Sequence, residues 1–493
     1  MSQDLHARIG QLNDVLCTVN MLNWDARTQM PPGGAETRGH QVATLMGIAR
    51  AMILDPAMRD AVEAAGDDPQ AQAVRHAIAH HARVPAELLE AKARHATVAG
   101  AAWAKARAQG DFAIFRPHLE QVVTLARRTA EALGHEGHPY DPMVQVFEPG
   151  ETAASLGALF DRLRAGILPI LDRARGRPAP RTDFLYRDYD PRLQQRFAAE
   201  TARALGYDFD RGRLDTAVHP FEVSFTRNDV RITSRWPRRY LPMSIFGTIH
   251  EVGHALYEQG VDPAHTRGAF ATDMIGLYAV GGTSFGMHES QSRLLENHVG
   301  RSAAFWRTHF PRLRDTFPEA LSDVTEEAFV AAINRVEPGP IRVEADELTY
   351  DLHIMLRVRI EMALMDGSLQ VADIPDTWNR AMREDLGVAI EGDAEGCLQD
   401  VHWSSGYIGS FPTYTIGNVT AAQLMRHLAE GSPQVVAAAE AGDLAPLRDS
   451  LGDAVWRHGR SLGRDGILER LGLTPNDPAA YLAHLEARFG PGA

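Results

Sequence analysis

A chain of 493 residues, 44% hydrophobic and 23% charged, has the make-up of a folded globular protein and not of a disordered one. Its formal charge of −14 argues against binding nucleic acid through phosphate neutralisation, and no uninterrupted apolar run reaches the ~18 residues of a membrane span; the most apolar glycine-rich stretch, 268–286, is broken by Asp273. Two cysteines, Cys17 and Cys397, lie nearly the whole chain apart, which excludes a disulfide framework and a thiolate metal site and leaves both as small buried side chains.

The start of the chain is polar and lacks an apolar segment followed by a small-residue cleavage site, so a cytoplasmic protein is expected. No Ser/Gly-rich linker, low-complexity block or internal repeat divides it. The expectation is therefore a single domain over 1–493, with two lobes flanking a cleft.

In chain order, long amphipathic helices are predicted over 71–82, 85–108 and 154–175, where apolar residues recur at intervals of three and four. Around 221–235 the pattern changes to Val223, Phe225, Val230 and Ile232 among polar residues, with an Asn228-Asp229 turn, which predicts a β-hairpin. A helix follows over 242–260. Pro242 suits its first turn, Ile245, Phe246, Ile249, Val252 and Leu256 form an apolar stripe, and Gly260 closes it. Further helices are predicted over 294–298, 326–335 and 347–365, making the fold class mainly α with a small β element beside a 242–300 segment. The stretch 396–418, punctuated by glycine and proline, reads as an irregular loop of the kind that carries function. Helices over 421–428, 447–464 and 478–489 read as a cap without chemistry.

The 242–260 helix carries His250-Glu251-Val252-Gly253-His254. Residues four apart lie about 6 Å along the axis and about 40° around it, so both imidazoles share one face and can grip one metal ion. Glu251, on the flank, is placed to take a proton from the attacking water. Catalytic zinc keeps three protein ligands, so one more is needed. Glu289, within His288-Glu289-Ser290-Gln291-Ser292, is the leading candidate; Asp273 and Glu296 are the other acidic residues in reach. The competing reading is a helix with two solvated histidines and a surface glutamate. Gly253 costs the helix about 1 kcal/mol relative to alanine, which predicts a second backbone or a substrate close against it.

Six strings in one order resemble the carboxypeptidase Taq family of zinc metallocarboxypeptidases. They are His219-Pro220-Phe221, Asp229-Val230-Arg231-Ile232-Thr233, His250 to His254, His288 to Gln291, Ile341-Arg342-Val343-Glu344-Ala345-Asp346 and Gly396 to Trp403. Trp24-Asp25 and the string from Met30 to Glu36 are similar to the family's opening segment, so the likeness spans nearly the whole chain. One departure is the connection 256–287, which is longer than is usual between the two metal segments.

The resemblance implies a helical zincin with a deep groove, zinc at its floor (cobalt as a substitute), a homodimer, and release of single residues from peptide C-termini with broad tolerance. Glu289 keeps the third-ligand role because it sits in the matching string, and Glu296 is then read as part of a solvated helix face. His402 and Tyr414 are assigned to the developing oxyanion, with Tyr407 as understudy, because a tetrahedral intermediate needs donors. Arg342, and after it Arg231, are assigned to the substrate's terminal carboxylate, for which guanidinium is a matched fork. Each arginine also has a structural alternative: an ion pair of Arg231 with Asp229, or of Arg342 with Asp346. Two other functions compete, a dipeptidyl carboxypeptidase or oligoendopeptidase of the related helical type, and a zinc-holding peptide-binding scaffold without catalysis.

Overall fold

Helices dominate the computed structural model, which describes residues 3–490. Their positions follow the hydrophobic periodicity closely: Pro69–Arg83, Ala86–Gln109 and Ala153–Arg175 each begin and end within two residues of expectation. Local chemistry sets several ends. Thr152 forms a capping box with Ser155, and Gly110 closes Ala86–Gln109 in the left-handed conformation. No helix among the described residues is long and apolar enough to cross a membrane.

Backbone contacts group the chain into two compact units, each assembled from three segments. The first comprises Met1–His81, Ala179–Arg335 and Thr420–Pro475; the second comprises Ala82–Pro178, Val336–Val419 and Asn476–Ala493.

The first unit holds the only sheet among the described residues. Strands β1 (Gly212–Thr216), β2 (Glu222–Thr226) and β3 (Asp229–Ser234) lie in the order β1-β3-β2. β2 and β3 make the expected antiparallel hairpin, with its turn at Arg227-Asn228, one residue earlier than the sequence suggested, and a register shift between Ser224 and Thr226. β1 pairs parallel to β3 and was not anticipated: Gly-Arg-Leu-Asp-Thr has a single apolar side chain and no alternation to reveal it.

Behind the sheet runs the helix Leu241–Gly260. All five residues of its apolar stripe are buried in the unit's main core, with Tyr189, Phe197, Trp306 and Phe329. Most of its other positions are buried as well, so it is a central helix and not a surface one. Gly253 explains part of this. A β-carbon there would stand 2.4 Å from Ser292 Cα and 2.5 Å from the Gln291 carbonyl oxygen, because the helix Phe285–Arg293 crosses at that point. The close neighbour that the glycine signalled is a second backbone.

Phe285–Arg293 starts at Ser284, whose hydroxyl accepts from Met287 N at 3.1 Å, and continues into a π-helix over Leu294–Gly300. The longer connection before it docks on the first helix, Gln3–Thr28: Ala269, Met274, Leu277 and Ala279 share a core with Leu5, Ile9, Leu12 and Leu16. Asn13 and Asn20 donate to the Gly268 and Ala279 carbonyls at 3.2 and 2.9 Å. Asp273 turns inward to Arg460, 3.4 Å away, and caps the turn that follows it.

Three element expectations need correction. The 396–418 stretch is irregular only to Phe411; Pro412 opens the helix Pro412–Gly431, which carries Tyr414. The helix expected over 447–464 is broken into Ala445–Ala454 and Arg464–Arg470, because Gly459 takes a positive φ of 51° where the Phe270 carbonyl presses close. The long charged helix begins at Tyr350, not 347; residues 347–349 form a turn before it, opened by Asp346, whose side chain accepts from Thr349 N at 3.0 Å.

Candidate metal centre

Within the first unit, the crossing of Leu241–Gly260 over Phe285–Arg293 brings His250, His254 and Glu289 together. The two Nε2 atoms lie 3.2 Å apart, and Glu289 Oε2 lies 3.3 Å from that of His254 and 3.6 Å from that of His250. Atoms bonded to one tetrahedral zinc at its usual 2.0–2.1 Å are about 3.3 Å from one another. The donor set, two imidazoles and a carboxylate, is that of a hydrolytic zinc site.

Hydrogen bonds behind the triangle assign its protons. Glu296 Oε2 accepts from His250 Nδ1 at 3.0 Å, which leaves a lone pair on His250 Nε2. Glu289 spends its other oxygen on Arg293 Nε at 2.8 Å. His254 Nδ1 stands 2.6 Å from His288 Nδ1, and His288 Nε2 reaches Glu258 Oε1 at 2.9 Å. His250 Nε2 and Glu289 Oε2 are thus acceptors, and with the His254 proton on Nδ1 all three inward atoms are, a set that a cation reconciles. The solvated-histidine alternative does not describe this site.

Glu296 is the principal correction. It is 9% exposed, bonds His250, and is held by Arg301 at 2.9 Å and Arg293 at 3.3 Å, so it is no solvated surface group. Its signal was present in the spacing: seven residues beyond Glu289 is two helical turns, on the same face. The π-helix in which it sits is a common device at functional sites.

The charges divide sharply. Burial pushes Glu251 up to about 7, against the pull of His250, which suits a group that must take up a proton near neutrality. Burial also drives His254 down to about 3, keeping it in the neutral, ligating form. Burial pulls His250 the same way, but Glu289 and Glu296 outweigh it and raise the group. Glu289 and Glu296 are buried, yet Arg293 for the first and His250 with Arg293 for the second hold them below the usual carboxylate range. Glu222, on β2, is driven well up by burial and by Glu258 beside it, while Glu258 stays below its ordinary value because His288 and the Gly281 and Gly282 amides offset its burial. Arg27, which the sequence reading passed over, rests on the Phe221 ring at 3.4 Å and helps to lower Glu251.

Arg231, also in this unit, forms a two-pronged pair with Asp229, both contacts 2.8 Å, and its guanidinium lies over the rings of Trp24 and Phe225. The structural alternative describes its surroundings.

In the second unit, Arg342 is buried and pairs with Asp400, Nε at 3.1 Å and Nη2 at 2.7 Å on one oxygen, while Nη1 donates to Tyr350 at 3.0 Å. The ion pair considered for it was with Asp346; Asp400 is its partner instead. Arg357 takes the other Asp400 oxygen at 2.6 Å, and the two guanidiniums hold that carboxylate far below its usual range despite burial. His402 Nε2 and the Tyr414 hydroxyl are 3.1 Å apart. Tyr407 is 43% exposed and packs edge-on to Phe147.

Comparison with known proteins decides the family. Residues 4–489 match the family described as carboxypeptidase Taq (M32) metallopeptidase. The chain belongs to this family. It is 38% identical to thermostable carboxypeptidase 1 of Thermus thermophilus, over 94% of each chain, and 35% identical to carboxypeptidase 1 of Bacillus subtilis, over 93% of this chain and 91% of that one. The crystal structure of the M32 carboxypeptidase from Deinococcus radiodurans covers 99% of this chain and 98% of its own, with a TM-score of 0.94 and 37% identity. A more remote likeness, to PZ peptidase A at 12% identity and a TM-score of 0.63, extends the fold beyond M32 carboxypeptidases. The expected class, a mainly α metallocarboxypeptidase, holds, and membership of an M32 metallopeptidase family implies a divalent metal.

Proposed function

We propose that this M32 metallopeptidase removes single amino acids, with broad tolerance, from the free C-termini of peptides, using zinc held by His250, His254 and Glu289. The observation that carries the reading is the convergence of two imidazole nitrogens and a carboxylate oxygen within 3.2–3.6 Å of one another beside the buried Glu251. A divalent metal bound there supplies Lewis acidity and lowers the pKa of water, and cobalt can replace zinc in that role.

Glu251 takes the proton of the attacking water and returns it to the leaving amine. Burial supports both halves of that task, since a carboxyl poised near 7 exists in both forms at working pH. His402 and Tyr414 donate to the oxyanion, a role supported by their hydrogen-bonded proximity; Tyr407 stands in reserve. Arg342 binds the terminal carboxylate. Two of its five N–H groups remain beyond the three given to Asp400 and Tyr350. Arg231, stacked and paired with Asp229, is the weaker candidate for that carboxylate. Family resemblance further supports a homodimer acting on peptides in the cytoplasm, with neither nucleic acid nor membrane as partner; light scattering tests the dimer.

A peptide ladder followed by mass spectrometry tests the activity. The expected result is stepwise loss of one C-terminal residue, abolished by chelator, restored by zinc or cobalt, and slow for amidated peptides. Release of dipeptides or internal fragments would transfer the protein to the oligopeptidase reading, and metal binding without cleavage to the scaffold reading.

A further inference from the structure

His254 must offer Nε2 to the metal, so its one imidazole proton has to sit on Nδ1. That atom faces Nδ1 of His288 at 2.6 Å, and only one of the two can hold a proton. If His288 donated, His254 would carry its proton on Nε2 and the metal face would be closed. The open sense has His254 donating from Nδ1, His288 Nδ1 accepting, and His288 Nε2 donating to Glu258 Oε1 at 2.9 Å.

Glu258 is built to receive it. Backbone N–H groups of Gly282 and Gly281 donate to its two oxygens at 2.8 and 2.9 Å, and the Ser224 hydroxyl stands 3.0 Å away. Two donating amides and a hydroxyl within reach dispose this carboxylate to accept from His288 as well. The two amides come from the end of the long connection between the metal segments. Gly282 is required there because a β-carbon would fall 2.3 Å from the His288 ring. His288 itself is clamped between the rings of His254 and Tyr257, at centroid separations of 4.7 and 5.4 Å.

From this geometry we infer that His288 and Glu258 are positioning residues for the metal: they fix the tautomer and the ring plane of His254, and the glycine pair of the long connection completes the device. The inference rests on the metallopeptidase reading but concerns metal affinity, so it can fail separately from it. Outer hydrogen-bond partners of ligating histidines characteristically change metal affinity by about 10- to 100-fold.

The test is zinc affinity by chelator competition in the full-length protein, for His288→Phe, which keeps the stacked ring and removes both nitrogens, and for His288→Asn, which keeps an acceptor toward His254. Zinc binding about 10- to 100-fold weaker in His288→Phe and a smaller loss in His288→Asn would support the inference. A folded His288→Phe that binds zinc as tightly as the parent overturns it. Nitrogen-15 NMR of the parent gives a reading that no variant's folding can spoil. His288 should be protonated on Nε2 and bare on Nδ1; a proton on His288 Nδ1 overturns the relay. Peptide cleavage is scored apart: a parent that binds zinc but cuts nothing sinks the activity and leaves the relay standing, and one that binds no zinc sinks both.

Discussion

Glu296 accepts the Nδ1 proton of His250 at 3.0 Å and is itself held by Arg301 at 2.9 Å, so the first metal-ligating histidine is oriented by a carboxylate that is fixed in turn. Glu296→Ala leaves that proton and Arg301 without their acceptor. Zinc affinity measured by chelator competition should fall about 10- to 100-fold, and Glu296→Gln, which keeps an acceptor, should lose less. Equal affinities in all three proteins would show that His250 needs no such support.

Glu251→Gln keeps the shape of the site and removes its proton acceptor. Bound zinc should be retained while kcat falls about 10²- to 10⁴-fold, read from metal analysis and from cleavage of a free-acid peptide. Undiminished hydrolysis would remove Glu251 from the reaction.

Gly253→Ala opposes two effects. Alanine improves the helix by about 1 kcal/mol, but its β-carbon would be driven to 2.4 Å from Ser292 Cα, and overpacking costs about 1–3 kcal/mol. Backbone cannot step aside as a flexible side chain can, so the second effect wins. The urea midpoint should drop and zinc affinity with it, since the two helices carry the ligands. An unchanged midpoint would mean that the crossing has slack.

Arg342→Ala separates its two possible duties. Loss of a carboxylate clamp should raise KM for free-acid peptides while amidated peptides stay poor substrates of both proteins. If the two kinds of substrate suffer equally, Arg342 serves only as the partner of Asp400.

Glu361 sets a pH dependence of stability away from the metal. It is fully buried, and burial raises it to about 7 although Tyr140, Trp403 and the Gly409 amide donate to it at 2.8, 2.9 and 3.1 Å. In the unfolded chain it titrates near the ordinary carboxyl value of about 4.3. Between that value and about 7 the unfolded state sheds the proton and the folded state keeps it. The contribution is therefore complete below the lower value and is lost as pH rises through the upper one, with a slope of up to about 1.4 kcal/mol per pH unit. Urea unfolding at several pH values should show this slope in the parent and a flatter one in Glu361→Gln; parallel curves would place the proton elsewhere.

The helices, the β2–β3 hairpin and the two histidines of the candidate metal triangle were legible because each depends on short-range order. A stripe at helical spacing, a pair of histidines four apart and a turn between alternating segments are all written within a few turns of chain. Glu289 needed more, a match of string to family. Glu296 was misread although only seven residues farther on, since an acidic residue on a helix is solvated or buried according to what crosses that face, and Arg301, Arg293 and His250 are what cross it. Strand β1 was missed because its side chains alternate too little to show a face.

The sequence by itself determined that one helix offers two imidazoles and a flanking carboxylate, because the 3.6-residue period leaves no other arrangement. It also determined that something crowds Gly253. Only the tertiary structure decided that the crowding body is the helix carrying Glu289, that His254 is backed by His288 and Glu258, and that Arg342 is held by Asp400 and not Asp346. Partners 30 or more residues apart are chosen by how packed elements cross, and a crossing leaves no periodic trace in either strand of text.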